Sequence, residues 1–340
     1  MKKLTIQDIA RLAGVSTATV SRALHSPQLL REATRDHVLE VIRENNYIYN
    51  SVAGDFSRQR SSILGAFVPW ELSGGKINAT LIAIQNVLNP HGYPMLINVT
   101  RSNFKVERTQ IMQARQRALA GLFFTGVTRE NESLIEEMQE QGIPCIFLWD
   151  TFEGTNRKYV GIDNFSGARD ITRYLIRLGH RRLGYLGAQQ SLIARVGKCL
   201  DGMRAALEEA GLELRSECII ECPSAGLQSG RDGMFQMLSL AEPPTAILCA
   251  SDMLAIAAMA VCRELGLRVP GDISVAGFDD IDMSAYAVPG LTTVGVPSLE
   301  MGGLAARCML DLVHGDTRNT CQYTLKTSLI IRESCGPPSA

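Results

Sequence analysis

The chain has 340 residues, 46% hydrophobic and 20% charged, with a formal net charge of −1. That composition is ordinary for a globular protein and leaves material for two or three folding units. No stretch approaches the roughly 18 apolar residues of a membrane span, and Met1-Lys2-Lys3-Leu4 runs directly into polar Gln7, Asp8 and Arg11, so neither a span nor a leader is expected and the cytoplasm is.

The charge is unevenly distributed. Residues 1–60 carry nine Lys/Arg against six Asp/Glu, and the remainder 25 against 29, a basic head on a mildly acidic body. The nine cysteines, Cys145 to Cys335, include no CxxC pair. Cys218 and Cys222 lack a downstream Cys or His pair, which predicts buried free thiols and no metal cofactor.

In chain order, residues 5–47 read as three short helices. Thr5 can cap the first, with Asp8 completing a capping box. Ile6, Ile9, Ala10 and Ala13 share its face. Gly14 breaks the pattern, as expected where the chain reverses and a side chain would clash. Ser16 caps a second helix with Val20, Ala23 and Leu24 inward. Pro27 precedes a third, with Ala33, Val38, Val41 and Ile42 buried. Helices this short must pack on one another. Residues 48–62 have little apolar periodicity and read as a linker.

After residue 62, apolar runs alternate with amphipathic segments. The runs are Ile63–Val68, Met95–Val99, Gly121–Phe124, Pro144–Leu148, Tyr159–Ile162, Leu183–Leu186, Cys218–Glu221, Ala246–Ala250 and Ile273–Gly277. The intervening helices include Arg169–Leu178, Met203–Ala210 and Asp252–Leu265. This texture predicts doubly wound parallel sheets, two rather than one, with ligand at the carboxyl ends of facing strands.

The segment Thr5 to Arg22 reads as a helix-turn-helix. Its second helix offers Ser16, Thr17, Ala18, Ser21 and Arg22, and Arg22 can pair with guanine O6 and N7. From Thr5 to Leu24 it resembles the head of the LacI/GalR family of bacterial repressors. That resemblance adds Thr5 and Thr19 to the DNA contacts and implies a hinge helix after the head. The corresponding run is Tyr47-Ile48-Tyr49-Asn50-Ser51-Val52-Ala53-Gly54-Asp55-Phe56. Asn50, Ala53 and Phe56 would face the minor groove, with Phe56 replacing the family's wedging Leu. Tyr49 replaces Pro. Gly54 and Asp55 lower helix propensity, which predicts a hinge that orders only when both the operator and the right ligand state are present.

The rest resembles the family's periplasmic-binding-protein-like core. The carrying motifs are Gly161-Ile162-Asp163-Asn164, Leu178-Gly179-His180-Arg181-Arg182, Ser251-Asp252-Met253-Leu254-Ala255, Val269-Pro270-Gly271-Asp272-Ile273, Gly277-Phe278-Asp279-Asp280 and Pro289-Gly290-Leu291-Thr292-Thr293. The implied fold is an all-α head, residues 1–47, a hinge, 48–62, and a two-lobed α/β core, 63–340. The first lobe is expected at about 63–160 and 291–320, the second at about 161–290 and 321–340.

The resemblance implies an effector pocket with Arg195 and Asp279 gripping hydroxyls or carboxylates, and Ser251, Asp252 and Asp150 in or beside it. Trp70, Trp149 and Phe152 are candidate aromatic faces, weighed against plain core packing. The first pocket loop, Trp70 to Lys76, departs from the family by offering Lys76, and Ala225 stands where an aromatic is frequent. Lys76 reads either as a solvated lysine or, beside Arg195, as a group favouring an anionic ligand. Phe147-Leu148-Trp149-Asp150 resembles the gluconate-type branch.

The expected function is therefore effector-dependent, sequence-specific binding of near-palindromic operator DNA, as a homodimer or a dimer of dimers, repressing sugar or sugar-acid metabolism genes. The C-terminal Ser334–Ala340 lacks leucine heptads, against a tetramerising coil. A solute-binding protein of a transport system is the alternative. An enzyme is not expected, because no phosphate loop, zinc motif or nucleophile elbow is present. His180, after a helix, reads as a dipole partner rather than a catalyst.

Overall fold

The computed structural model describes residues 4–25, 27–47, 62–69, 75–100, 109, 111–113, 119–126, 132–189, 194–316, 318 and 320–339. The chain divides into two compact units, 1–61 and 62–340.

The first unit holds α1 (Ile6–Leu12), α2 (Thr17–His25) and α3 (Glu32–Glu44). Ile9, Ala10, Ala13, Val20, Ala23, Val38 and Val41 form its core. The Thr5–Asp8 capping box opens α1: the Asp8 amide donates to the Thr5 hydroxyl (3.3 Å) and the Thr5 amide to the Asp8 carboxylate (2.9 Å). Gly14 has φ +63°, but a Cβ there would meet nothing within 4 Å. The turn needs glycine for its left-handed backbone, not for lack of room. The hinge run with Asn50, Ala53 and Phe56 lies outside the described residues.

The second unit contains two six-stranded sheets. The first consists of β1 (Leu64–Pro69), β2 (Met95–Thr100), β3 (Gly121–Phe124), β4 (Cys145–Leu148), β5 (Lys158–Ile162) and β11 (Gln322–Leu325), in the order β11-β5-β4-β3-β1-β2, all parallel. The second consists of β6 (Leu183–Ala188), β7 (Ile219–Cys222), β8 (Ala246–Cys249), β9 (Ser274–Asp279), β10 (Thr292–Gly295) and β12 (Ser328–Ile330), in the order β12-β10-β9-β8-β6-β7. Its edge strand β12 runs antiparallel to β10, an exception to the expected parallel sheets.

The helices of this unit are α4 (Gly75–Leu88), α5 (Glu132–Glu140), α6 (Asn164–Arg177), α7 (Ala194–Glu209), α8 (Leu227–Leu238), α9 (Asp252–Glu264), α10 (Asp282–Tyr286) and α11 (Ser298–Val313). Most strands are buried along their length, as sheets covered on both faces require. One continuous apolar core crosses between the sheets, joining Leu148 and Trp149 to Val196, Leu200 and Phe278.

The lobe boundaries differ from the expectation at three places. All of β5 pairs in the first sheet, so the first crossover follows Ile162 rather than residue 160. β10 pairs with β9, so the return comes after Gly295 rather than at 291. β11 pairs with β5, so the last crossover lies between Leu325 and Ser328 rather than at 321.

Candidate functional site

In the head, the Ser16 hydroxyl accepts from the Thr19 amide (3.1 Å), so the Ser16 and Thr19 side chains begin α2 as well as facing outward. Ser16, Thr17, Ala18 and Arg22 are exposed, while Thr19 and Ser21 are half-buried. The N-terminal turn of α2 therefore presents short polar side chains, with unpaired backbone amides that suit phosphate. Thr5 is exposed, with its hydroxyl engaged by Asp8 (2.7 Å).

In the core, the candidate residues gather where strands end. Trp149 follows β4 with φ +72°, and Asp279 ends β9 with φ +120°. Left-handed backbone at a bulky or charged residue costs about 1–3 kcal/mol and marks sites under functional constraint. Arg195, in the first turn of α7, lays its guanidinium 5.3 Å from the Trp149 ring centroid. All three side chains are buried, and Trp149 Nε1, Arg195 Nε and Asp279 Oδ1 find no partner among the described residues. Leaving such a group unpaired costs about 1–3 kcal/mol. Trp149 comes from the first sheet and the other two from the second lobe, so the unpaired groups converge between the lobes.

Burial pushes the Asp279 carboxyl up to about 7, against the opposing pull of Arg195 and Lys76. Lys76 stands in the first turn of α4, not in a loop as expected, and pairs with Asp282 (3.6 Å) across the lobes. Trp70 and residues 71–74 lie outside the described residues.

Three expected pocket residues are already engaged. Asp252 is fully buried and accepts from the Ile281 amide (2.9 Å), the Ser284 hydroxyl (2.6 Å) and the Thr293 hydroxyl. It ties α9 to β10 and the β9–α10 turn instead of facing a ligand. The Ser251 hydroxyl caps α9 through the Leu254 amide (3.3 Å). Asp150 pairs with Lys198 (2.6 Å). Phe152 packs with Phe147 and Tyr159, beneath Arg157, away from Trp149.

Asn164 was not singled out as a site residue. It is buried at the first crossover, donates to the Trp149 carbonyl (2.9 Å) and leaves Oδ1 without a partner among the described residues. Its position after β5 in Gly161-Ile162-Asp163-Asn164 was the available signal. His180, read as a helix-dipole partner, is buried. Its ring bonds to the Thr245 hydroxyl (2.9 Å), the Ser274 hydroxyl (3.1 Å) and the Gly336 carbonyl (2.9 Å), and burial lowers its pKa. It is a buried neutral tie between three segments.

Among the described residues there is no cluster of three metal-ligating side chains, and no helix is long and apolar enough to cross a membrane. All nine cysteines are buried, and none is in a disulfide.

Comparison with known proteins agrees with this arrangement. Residues 5–50 match the bacterial regulatory proteins of the lacI family, and residues 172–335 the periplasmic binding protein-like domain. The HTH-type transcriptional regulator CelR of Thermobifida fusca is 30% identical over 98% of both chains. A solved CelR–cellobiose complex superposes with a TM-score of 0.72 at 29% identity, covering 97% of this chain and 99% of that one. The lac repressor dimer bound to operator and the anti-inducer ONPF gives a TM-score of 0.84 at 27% identity, covering 98% and 100%. The reading head, the two-lobed core and these end-to-end similarities lead to one conclusion: the chain belongs to the lacI family of bacterial transcription regulators.

Proposed function

We propose that this protein is a cytoplasmic, non-enzymatic repressor that binds near-palindromic operator DNA as a homodimer and is controlled by a sugar acid held between the lobes of its core. The observation that carries the reading is the convergence of Trp149 Nε1 and Asp279 Oδ1 at strand ends with Arg195 Nε at the start of α7, all buried and without a partner among the described residues. A polyhydroxylated ligand supplies the missing donors and acceptors, and the indole offers a flat face to a sugar ring. Arg195 stands beside an acid whose burial resists ionisation, and Lys76, paired with the exposed Asp282, adds a second cation, which supports an anion over a neutral sugar. The cellobiose bound by the CelR relative supports a carbohydrate effector in this cleft.

In the head, Thr5, Ser16, Thr17, Ala18, Thr19, Ser21 and Arg22 are the proposed DNA contacts. Asn50, Ala53 and Phe56 are proposed for the minor groove on the family resemblance alone. Repression and release then follow from linkage: the effector changes operator affinity by the ratio of its affinities for the two states.

The test is a gel shift of the full chain on duplexes from its own promoter region, with and without gluconate, related sugar acids and cellobiose. Sugar acids should change operator affinity and cellobiose should not. Arg22→Ala should weaken specific binding by roughly 10- to 100-fold, the worth of a bidentate guanine contact. Ligand binding without any DNA affinity would favour the solute-binding alternative, and turnover of a sugar would favour an enzyme.

A further inference from the structure

One face of α7 grips a turn of the opposite lobe. The turn is Trp149-Asp150-Thr151, directly after β4, and it begins in a backbone conformation unfavourable for a bulky aromatic. It is held from two directions. Within its own lobe, Asn164 Nδ2 donates to the Trp149 carbonyl (2.9 Å). Gly161 of β5 runs so close that a Cβ there would sit 1.9 Å from the Asp150 carbonyl oxygen. The turn can settle only over a glycine.

From the second lobe, the Lys198 ammonium donates to Asp150 Oδ1 (2.6 Å), the Thr151 carbonyl (2.9 Å) and Thr151 Oγ1 (3.4 Å). Those three acceptors match the three donors an ammonium carries. Asp150 Oδ1 also accepts from the Thr151 amide (2.8 Å), so the carboxylate closes the turn on itself while binding the lysine. The carboxylate is the sheltered partner: its side chain is 11% exposed against 37% for Lys198. Arg195, one helical turn earlier on α7, lies over the indole of the same turn. The residue that contacts the aromatic wall and the residue that fastens the wall's backbone thus sit together on one helix.

We propose that Lys198 is a positioning residue: by tying Asp150 and Thr151 to α7, it fixes the Trp149 indole against Arg195 and latches the two lobes together before any effector arrives. The effector would then meet a wall already in place, and the strength of the latch would set how much of the lobe closure the effector itself must drive. The proposal rests on reading the cleft as the effector site. Its test uses neither ligand nor DNA, so its failure would leave the regulator reading standing, and a failed gel shift would leave the latch standing.

The chain has two tryptophans, so full-length protein carrying Trp70→Phe reports Trp149 alone. Acrylamide quenching of its emission measures access to the indole, and hydrogen exchange of the 149–155 segment measures opening of the turn. Adding Lys198→Met should raise the quenching constant about threefold and speed exchange in that segment, as a local opening does. Lys198→Arg, which keeps charge and donors, should restore most of the protection. Asp150→Ala should reproduce part of the Lys198→Met effect, since Lys198 keeps its Thr151 acceptors, and the double variant should add less than the sum of the two single changes, because the two residues share one interaction. Unchanged quenching and exchange in Lys198→Met would overturn the proposal. So would equal loss of protection in the Arg and Met variants. If Lys198→Met does not fold, Lys198→Gln decides by the same two measurements.

Discussion

Asp252 and Asp279 show how far residue type falls short of residue role. Both are acids beside strand ends of the second sheet, and both were expected in the pocket. The fold commits Asp252 to three donors from the β9–α10 turn, α10 and β10, and leaves one oxygen of Asp279 without a partner among the described residues. Asp279 therefore carries a pH signature. Its folded value, about 7, lies above the unfolded value near 4, so the native state holds the extra proton between those limits. Its contribution to stability is present at low pH and is lost as pH rises from about 4 through about 7. Thermal denaturation at about pH 5 and about pH 8 should show wild type losing stability, on the order of 2–4 kcal/mol, that Asp279→Asn does not lose. An equal loss in both proteins would remove Asp279 as the source.

At the scale of elements, helix pairs close over glycines. A Cβ at Gly202 of α7 would lie 2.1 Å from the Phe165 carbonyl oxygen of α6, and one at Gly302 of α11 would lie 2.4 Å from the Thr80 carbonyl oxygen of α4. The obstacle is backbone, which cannot swing aside. Gly202→Ala should cost about 1–3 kcal/mol or more, read as a lowered melting temperature. Gly303→Ala is the control: only the tip of Arg307 lies near, at 3.5 Å, and helix propensity alone predicts a gain of up to about 1 kcal/mol. The same packing explains what the apolar pattern concealed. The expected Met203–Ala210 is only the second half of α7. Its first half carries Arg195, Lys198 and Gly202, chosen for the cleft and the close approach rather than for an apolar stripe. β10 escaped notice because it is Thr-Thr-Val-Gly, whose buried hydroxyls are satisfied by Asp252 and by the Arg332 carbonyl. β11 and β12 are short edge strands of four and three residues with little burial.

For the whole molecule, the question is what covers its exposed apolar side chains. Met283, Tyr286 and Val288 around α10 are 54%, 86% and 86% exposed, and Ile82, Ile97 and Leu299 of the first lobe are more than half solvent-facing or nearly so. A second copy is the natural cover if the protein is the homodimer proposed above. Tyr286→Asp should shift the protein towards monomer in sedimentation and weaken operator binding in parallel. A dimer of unchanged stability would place the interface elsewhere. Much of this molecule was determined by its sequence alone: the three-helix head, the nine apolar strands and the family follow from local periodicity, capping and dense motif identity, all of which act between near neighbours in the chain. Tertiary structure decided the rest. Which acid is spent and which is open, where the chain crosses between lobes, and that Asn164 and Lys198 meet the Trp149 turn depend on contacts between residues tens or more positions apart, and periodicity carries no information about partners at that range.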